Sequence, residues 1–291
     1  MSTLLIRRAE DPLVITPASA GWDRCGLGIV QLEPGGSHVL ATQGAEICVL
    51  PLTGGCIVET GGKRFELAGR ESVFARVSDF AYVPCQSELR ISSAAGCELA
   101  LASARTERRL EPVHVQASEV PVELRGAGSA TRQVNNLMIP GVFDGADRLI
   151  CCELLTPDGN GSSYPPHKHD SSPECEIDNE EIYYFRIGRA GTVRYDADGY
   201  GIHRTYTADR EIDETVVVRD GDAFLVPRGY HGPCIAAPGY PMYYLNVMAS
   251  AHDERRLAIV DDPPHGWIRD SWSSQELDPR CPMTSADGLV R

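Results

Sequence analysis

Four residues in the second half of the chain have the types and spacing of a metal site: His167, His169, Glu181 and His231. His167 and His169 stand two positions apart, so an extended strand would project both imidazoles from one face. Glu181 begins a second apolar run, and His231 follows the turn signal of Gly229. Three imidazoles and one carboxylate suit a borderline divalent ion. We expect one such ion, with zinc as the first choice and manganese, iron or nickel as alternatives.

The order of these residues resembles the two motifs of the cupin superfamily, a small antiparallel barrel with a metal in its mouth. Two features depart from the usual pattern, because the segment 170–180 lengthens the gap before the glutamate and only Tyr230 separates Gly229 from His231. The alternative is that the histidines are ordinary loop or core residues. A motif of several parts in its expected strand context is stronger evidence than a lone histidine. The resemblance implies an all-β fold made of cupin-type β-barrels.

Longer stretches resemble the 5-deoxy-glucuronate isomerase family of inositol catabolism, which is related to the 5-keto-4-deoxyuronate isomerases. They read Ser-Ser-Tyr-Pro-Pro-His-Lys-His-Asp, Glu-Glu-Ile-Tyr-Tyr, Val-Pro-Arg-Gly-Tyr-His and Tyr-Tyr-Leu-Asn-Val-Met-Ala. The resemblance runs from about Gly69 to Trp267, although Gly161 and Leu257 stand where that family tends to have tryptophan. It implies a metal-dependent aldose–ketose isomerase that converts 5-deoxy-glucuronate to 5-dehydro-2-deoxy-gluconate in myo-inositol catabolism.

Two other classes of function stay open on the residues alone. The first is a cupin dioxygenase, because three histidines and a glutamate can hold iron for oxygen chemistry. The second is a sugar-acid-binding or regulatory cupin without catalysis. A dioxygenase would consume oxygen, and a binding protein would bind its ligand without turnover. Since one fold hosts many chemistries, the choice of an isomerase rests on the resemblance.

An aldose–ketose isomerisation moves a proton between adjacent carbons, so it needs a base and a hold on the substrate. The candidates for the base are Tyr183, Lys168 and Glu174. The candidates for binding the substrate are Arg228, Arg186 and Tyr244. Arg228 is the first choice for the substrate carboxylate because a guanidinium can pair with it bidentately. The alternatives are sheet packing for the tyrosines and, for Arg228, an ion pair that ties the turn to a neighbouring carboxylate.

The strands that would position these residues are rich in β-branched and aromatic side chains between turn signals. They are predicted at 149–156, 182–187, 192–195, 215–218, 223–226 and 242–248. If Glu181 points into the barrel, the alternation of a strand places Tyr183 on the same face. The same alternation turns Glu180, Tyr184 and Arg186 to the opposite face.

The first half of the chain repeats this outline of strands and turns without the histidine pair. We therefore expect residues 1–105 to form an N-terminal cupin-like barrel without a metal site, in which Glu46 is a polar position with no ligand role. Residues 106–132 are predicted to be a linker, because prolines and a Gly-Ala-Gly-Ser run are typical where few contacts cross between units. Residues 133–291 are predicted to form the C-terminal metal-binding barrel with its tail. Two such barrels in one chain make a bicupin.

Composition limits the partners and the location. The chain of 291 residues is 42% hydrophobic, which suffices for one large core or two modest ones. A net charge of −14 argues against a nucleic-acid partner, which would require a basic face, but it permits a small anionic sugar in a locally positive pocket. The sequence shows neither the apolar core of a signal peptide nor a membrane-spanning stretch, so we expect a cytoplasmic protein with no membrane partner. Because open sheet edges are often covered by a second subunit, we also expect a homo-oligomer.

Overall fold

The computed structural model describes residues 4–8, 13–170, 178–250 and 255–290. Within these ranges the chain is built mainly from short β-strands. The earlier strands are β1 (Leu5–Ile6), β2 (Val14–Ile15), β3 (Cys25–Leu32), β4 (Ser37–Ala41), β5 (Ala45–Thr60), β6 (Lys63–Arg70), β7 (Phe80–Val83), β8 (Glu88–Ser92), β9 (Cys97–Arg105) and β10 (Val113–Val115).

The second half continues in the same way. Its strands are β11 (Val122–Arg125), β12 (Arg132–Met138), β13 (Leu149–Thr156), β14 (Gly161–Ser162), β15 (His167–Lys168), β16 (Asn179–Ile187), β17 (Tyr200–Tyr206), β18 (Asp213–Arg219), β19 (Ala223–Val226), β20 (Tyr230–Ala236), β21 (Met242–Ser250), β22 (Val260–Asp261), β23 (Thr284–Ser285) and β24 (Gly288–Leu289). The α-helices are α1 (Pro17–Ala20) and α2 (Trp267–Ser271). No helix in the described ranges is long and apolar enough to cross a membrane.

The strands of the first half curl into one barrel around β5. The sheet order is β10-β7-β5-β9-β3-β2, while β6 and β8 pair with the second part of β5 and β4 pairs with β8. A single strand serves both parts because it turns at Gly54, whose φ of 73° lies in the left-handed region. A Cβ at this position would come within 2.5 Å of the Gly96 carbonyl oxygen. The barrel interior is filled by apolar side chains, including Val49, Val58 and Leu99.

The strands of the second half form two antiparallel sheets that face each other. One sheet has the order β1-β19-β16-β21-β13-β12-β11, and the other has the order β18-β17-β20-β15-β22 with β14 attached to β20. Side chains from both sheets meet in one apolar cluster, among them Tyr183 and Phe224 from the first sheet and Val218 and Cys234 from the second. The two sheets therefore form a second barrel.

The first of these sheets also packs against the N-terminal barrel, so it is buried on both faces. On β16, Ile182 and Tyr184 join a core cluster shared with the first half, whereas Tyr183 and Phe185 point into the second barrel. Strands β13 and β21 alternate between the two clusters in the same way. Because both faces of this sheet are buried, the sequences of these strands are nearly uninterrupted runs of apolar residues.

Two strand predictions, 149–156 and 223–226, match β13 and β19 at both ends. The strand predicted at 192–195 is wrong, because this segment is a turn with one isolated bridge between Gly188 and Tyr195. Its aromatic residue serves contacts between the halves instead: the Tyr195 hydroxyl donates to the Leu52 carbonyl at 3.0 Å. The sequence analysis also missed β17 and β20.

Segments on either side of the predicted domain boundaries are interwoven. Strand β1 from the N-terminus pairs with β19 in the second barrel. The segment 106–132 is structured, because β10 pairs with β7 and β11 pairs with β12. The segment therefore adds one strand to a sheet of each barrel. The boundaries at residues 105 and 132 stay predictions.

Two buried glutamates link the halves reciprocally. Glu180, at the start of β16, accepts the backbone N–H groups of Asp23, Arg24 and Cys25 at 2.6, 2.9 and 2.7 Å. These donors lie where β3 of the first barrel begins. Glu46 makes the corresponding contacts from the first half to the second. In each half, the backbone N–H groups at the start of a strand therefore donate to a carboxylate of the other half.

Glu46, at the start of β5, accepts the backbone N–H groups of Asp147, Arg148 and Leu149 at 2.9, 2.5 and 2.6 Å. The Tyr82 hydroxyl donates to the same carboxylate at 2.8 Å. The interpretation of Glu46 as a polar position without a role was incomplete, because its partners lie about one hundred residues away and leave no local pattern.

These contacts predict that Glu46→Gln and Glu180→Gln each destabilise the protein. An amide offers one acceptor oxygen in place of two, and its NH₂ group would face backbone donors that have lost their partner. We expect each substitution to lower the free energy of unfolding by about 2 kcal/mol or more, as measured by urea denaturation. Glu59→Gln, on an exposed position of β5, is the matched control and should leave stability nearly unchanged. Equal stability of all three variants would contradict the structural role of the pair.

Candidate metal centre

A cavity of about 490 Å³ opens into the second barrel and is lined by four of the predicted site residues. One side is lined by His167, His169, Glu181 and Tyr183. Its volume lies in the range of small-molecule sites. The two histidines that stand two positions apart therefore face the same cavity, as the alternation of a strand predicts.

Three of the predicted metal ligands meet at the wall of this cavity. Within the described ranges, His169, Glu181 and His231 form a group whose candidate ligand atoms all lie within 4.8 Å of one another. Glu181 Oε2 lies 3.0 Å from His169 Nε2 and 3.2 Å from His231 Nε2. All three side chains are buried. Residues from β16, β20 and the end of β15 are thus brought to one point.

His167 lies beside this group rather than within it. Its ring packs edge-on against His231, with 4.6 Å between the ring centroids. The two residues are also direct partners across β15 and β20. The structure therefore brings together all four predicted ligands, with three of them in the closest cluster.

The hydrogen bonds of the imidazoles leave their Nε2 atoms for another ligand. The Nδ1 atoms of His167, His169 and His231 face the carbonyl oxygens of Pro165, Asn179 and Gly229 at 3.0, 3.0 and 3.4 Å. A carbonyl only accepts, so each Nδ1 carries the proton and a neutral ring presents a lone pair at Nε2. This arrangement is typical of metal-binding histidines, whose other nitrogen is held by an outer partner.

The arrangement of acceptors in this group fits a bound cation. When the rings are neutral and protonated at Nδ1, the Nε2 lone pairs of His169 and His231 face the Glu181 carboxylate, which is also an acceptor. Without an ion, a proton on His169 Nε2 makes the 3.0 Å hydrogen bond to Glu181. His231 Nε2 is buried and has no hydrogen-bond partner. Acceptors that face one another in a buried place repel unless a proton or a metal ion lies between them. The donor set therefore suits a borderline divalent ion.

Burial and charge shift the titration of these residues in different directions. Burial lowers the pKa of His167 well below its ordinary value, and the neighbouring His231 adds to this effect. Burial also acts to lower the pKa of His169, but the hydrogen bond and the charge of Glu181 outweigh it and raise the pKa. Burial opposes ionisation of Glu181, yet the histidines hold the pKa of its carboxyl below the usual range. An ionised Glu181 beside a neutral His167 is what a cation site requires.

Two of the predicted catalytic and substrate residues lie in or directly behind the cavity. The Tyr183 hydroxyl lies 2.9 Å from Ser163 Oγ, and the Tyr244 hydroxyl lies 3.2 Å from the same atom. Burial and then the charge of Glu181 raise the pKa of Tyr183 well above its ordinary value. The Tyr183 phenol therefore stays protonated at neutral pH.

The structure places the predicted basic residues away from this cavity. Lys168 and Arg228 line a separate, shallow pocket, where Lys168 Nζ lies 3.5 Å from Asp170 and Arg228 donates to Glu211 at 2.5 Å. Arg186 points to the opposite face of β16, where it pairs with Asp220 at 2.7 Å and with Glu98. The alternative of a structural ion pair for Arg228 matches this placement. Glu174 lies outside the described residues.

The sequence analysis missed the cations that do line the cavity. They are Arg125, Arg132 and Arg269, accompanied by the ring of Trp272. Arg125 and Arg132 belong to the segment predicted to be a linker, and Arg269 lies on α2. A possible signal was the turn-forming Gly-Ala-Gly-Ser run between two short apolar stretches, which is typical of a hairpin.

Comparisons with known proteins relate nearly the whole chain to one family. The model of the KduI/IolB family matches residues 5–268. A 5-deoxy-glucuronate isomerase of Geobacillus kaustophilus is 39% identical over 260 residues, which cover 88% of this chain and 90% of the relative. A 5-deoxy-glucuronate isomerase of Bacillus velezensis is 35% identical and covers 87% of this chain and 91% of its own.

Solved structures confirm the fold predicted from the sequence, two cupin-type barrels in one chain. The crystal structure of an IolB-like protein from Salmonella typhimurium has a TM-score of 0.83 and 32% identity, and the match covers 92% of this chain and 99% of that one. The oxalate decarboxylase of Lactobacillus farciminis has a TM-score of 0.63 at 12% identity, with coverage of 90% and 89%, and shares the fold alone. The family model matches nearly the whole chain, and the relatives are similar in sequence over most of their length. The chain therefore belongs to the KduI/IolB family.

Proposed function

We propose that this protein is a 5-deoxy-glucuronate isomerase, which converts 5-deoxy-glucuronate to 5-dehydro-2-deoxy-gluconate in myo-inositol catabolism. The observation that carries the proposal is the identity of 39% to a relative of that name across almost the full length of both chains. The cavity of the second barrel supports it, since it joins a candidate metal group to a positively charged wall. The substrate would be a small anionic sugar.

We assign the metal to His167, His169, Glu181 and His231, with zinc as the first choice and manganese, iron or nickel as alternatives. A divalent ion held there would polarise the substrate carbonyl and offset the negative charge that develops on the enediolate oxygens. The described residues supply the rest of the environment. Leu154, Met248 and Trp272 line the cavity and give part of its wall an apolar surface.

The Tyr183 hydroxyl is the group best placed to hold a proton near the substrate, because it lines the cavity beside Glu181 and stays neutral. Ser163 Oγ fixes the direction of this hydroxyl from behind. Lys168 and Glu174 stay predictions for the base. A homo-oligomer and a cytoplasmic location also belong to the proposal, as expected for an enzyme of sugar catabolism with open sheet edges.

The function is tested by incubating the metal-loaded protein with 5-deoxy-glucuronate and following the carbonyl carbon by NMR. We expect a ketone signal to replace the aldehyde signal without oxygen uptake. Oxygen consumption would instead indicate the dioxygenase, and unchanged substrate with each of zinc, manganese, iron and nickel would exclude the isomerase.

The metal assignment predicts that His169→Ala, Glu181→Gln and His231→Ala lose most of the bound metal and most of the activity together, because each removes one ligand from a single coordination sphere. We expect the same of His167→Ala. Metal content measured by mass spectrometry and turnover measured on the same samples check this. His265→Ala is the matched control, since His265 lies outside the cavity lining. A fully loaded His231→Ala variant would refute the ligand set.

The role of Tyr183 predicts that Tyr183→Phe keeps its metal but loses activity. The ring still fills its place, while the hydroxyl that donates a proton is removed. We expect kcat to fall by roughly 100-fold, the effect of a positioned acid or base. Tyr244→Phe is the control, because its hydroxyl also reaches Ser163 but its ring is not part of the cavity lining. Equal kcat values for the two variants would show that Tyr183 only packs.

A further inference from the structure

Two cations face each other across a pair of neighbouring strands at the wall of the cavity. Arg125 on β11 and Arg132 on β12 are direct partners in the antiparallel register. Like charges directly opposite one another destabilise a sheet. Arg269 on α2 adds a third positive charge to the same wall. Three arginines so close together at the cavity wall require negatively charged groups nearby to balance their charge.

Protein carboxylates compensate two of the three arginines. Arg125 donates to Glu123 at 2.8 Å, and Arg269 donates to Asp261 through two nitrogens, one of them at 2.7 Å. Arg132 is different. No carboxylate of the described residues lies within ion-pair distance of its guanidinium, whose single hydrogen bond goes from Nη1 to the Ala130 carbonyl at 3.2 Å.

The guanidinium of Arg132 is nevertheless buried. The residue is only 5% exposed, and its Nε is a buried donor without a partner. Burial lowers the pKa of Arg132 to about 10. The neighbouring Arg125 and Arg269 act in the same direction, whereas Tyr244 and Glu123 act against it. The group still carries its charge at neutral pH. An uncompensated buried charge is costly, so its retention beside a ligand cavity points to a bound anion.

The surroundings hold Arg132 in a fixed orientation. Its guanidinium lies 5.7 Å from the centre of the Trp272 ring. On the other side, the loop approaches closely at Gly126, whose φ is 78° and where a Cβ would lie 2.7 Å from Arg132 Nη1. Nη1 donates to the Ala130 carbonyl, whereas the edge formed by Nε and Nη2 makes no hydrogen bond within the described residues. Such an edge matches the two oxygens of a carboxylate.

We propose that Arg132 binds the carboxylate of the sugar acid, at the wall of the cavity that the His169, Glu181 and His231 group does not occupy. This inference rests on the proposed function for the identity of the substrate. The carbonyl end of the sugar would lie at the candidate metal group, and the carboxylate end at Arg132. Arg132 would thereby select acids over neutral sugars, because a neutral ligand leaves the buried guanidinium unpaired.

The test measures binding separately from turnover. Titration calorimetry on the metal-loaded protein uses D-glucuronate as the acidic probe and D-glucose as its neutral counterpart. We expect the wild type to prefer the acid and Arg132→Gln to lose roughly 30-fold or more of that preference, as when one member of a buried charge pair is removed. Arg64→Gln, at an exposed position of β6, is the matched control for loss of one positive charge and should keep the preference. Equal binding of both sugars by the wild type, or a full preference in Arg132→Gln, would overturn the inference.

Stability distinguishes a ligand-binding arginine from a structural one. Without ligand, Arg132→Gln removes an uncompensated buried charge, so its Tm should equal or exceed that of the wild type. A fall in Tm with an unchanged preference for the acid would show a structural role. If Arg132→Gln does not fold, Arg132→Lys keeps the charge without the planar fork and should show a reduced preference. A full preference in Arg132→Lys would then overturn the bidentate contact.

The experiment also separates this inference from the proposed function. A wild type that prefers D-glucuronate but does not convert 5-deoxy-glucuronate would refute the isomerase and leave the acid site in place. A wild type that converts the substrate, with a KM unchanged in Arg132→Gln, would refute the acid site and leave the isomerase in place. A rise of KM in Arg132→Gln, with metal content unchanged, is the result expected if both hold.

Discussion

Two buried carboxylates exchanged between the halves, Glu46 and Glu180, fix how the barrels meet. Each accepts three consecutive backbone N–H groups of the opposite half, at the place where a strand begins. The N–H groups of Cys25 and Leu149 are buried and would otherwise lack partners, at a cost of about 1–3 kcal/mol each. The carboxylates therefore act as caps for strands in the way that side chains cap helices, and the shared core closes around them.

The candidate metal group depends on the same contact through its neighbour in sequence. Glu180 faces the first barrel and Glu181 faces the cavity, so one strand start carries both functions on opposite faces. Any shift of β16 that moved one carboxylate would move the other. The position of Glu181 against His169 and His231 is thus set partly by contacts with the N-terminal barrel, which gives that barrel a role even though its own interior is filled by apolar side chains.

Local patterns predicted most of what is local in this protein. The histidine pair, Glu181 and His231 could be placed at one cavity because strand alternation and turn signals act over a few residues. Contacts between distant segments were missed: Glu46 binds residues of the second half, and Arg132 reaches the cavity from a segment whose composition is typical of a linker. Arg228, which is close to His231 in sequence, was the first choice for the substrate carboxylate, but its side chain pairs with Glu211. Closeness in sequence to a metal ligand therefore does not show which arginine lines the cavity, because neighbouring residues of a strand point to opposite faces of the sheet.

The pairing of the first strand with a late one has a consequence for synthesis of the chain. Leu5 lies opposite Phe224, and Arg7 and Arg8 pair with Asp222 and Asp220 next to it. Because β1 is made before β19, its backbone groups find their partner only after the intervening strands have been synthesised. The sheet that carries Glu181 is completed only when β1 pairs with β19. The second barrel thus takes one edge strand from the first half of the chain, a contact between distant segments that forms late in folding.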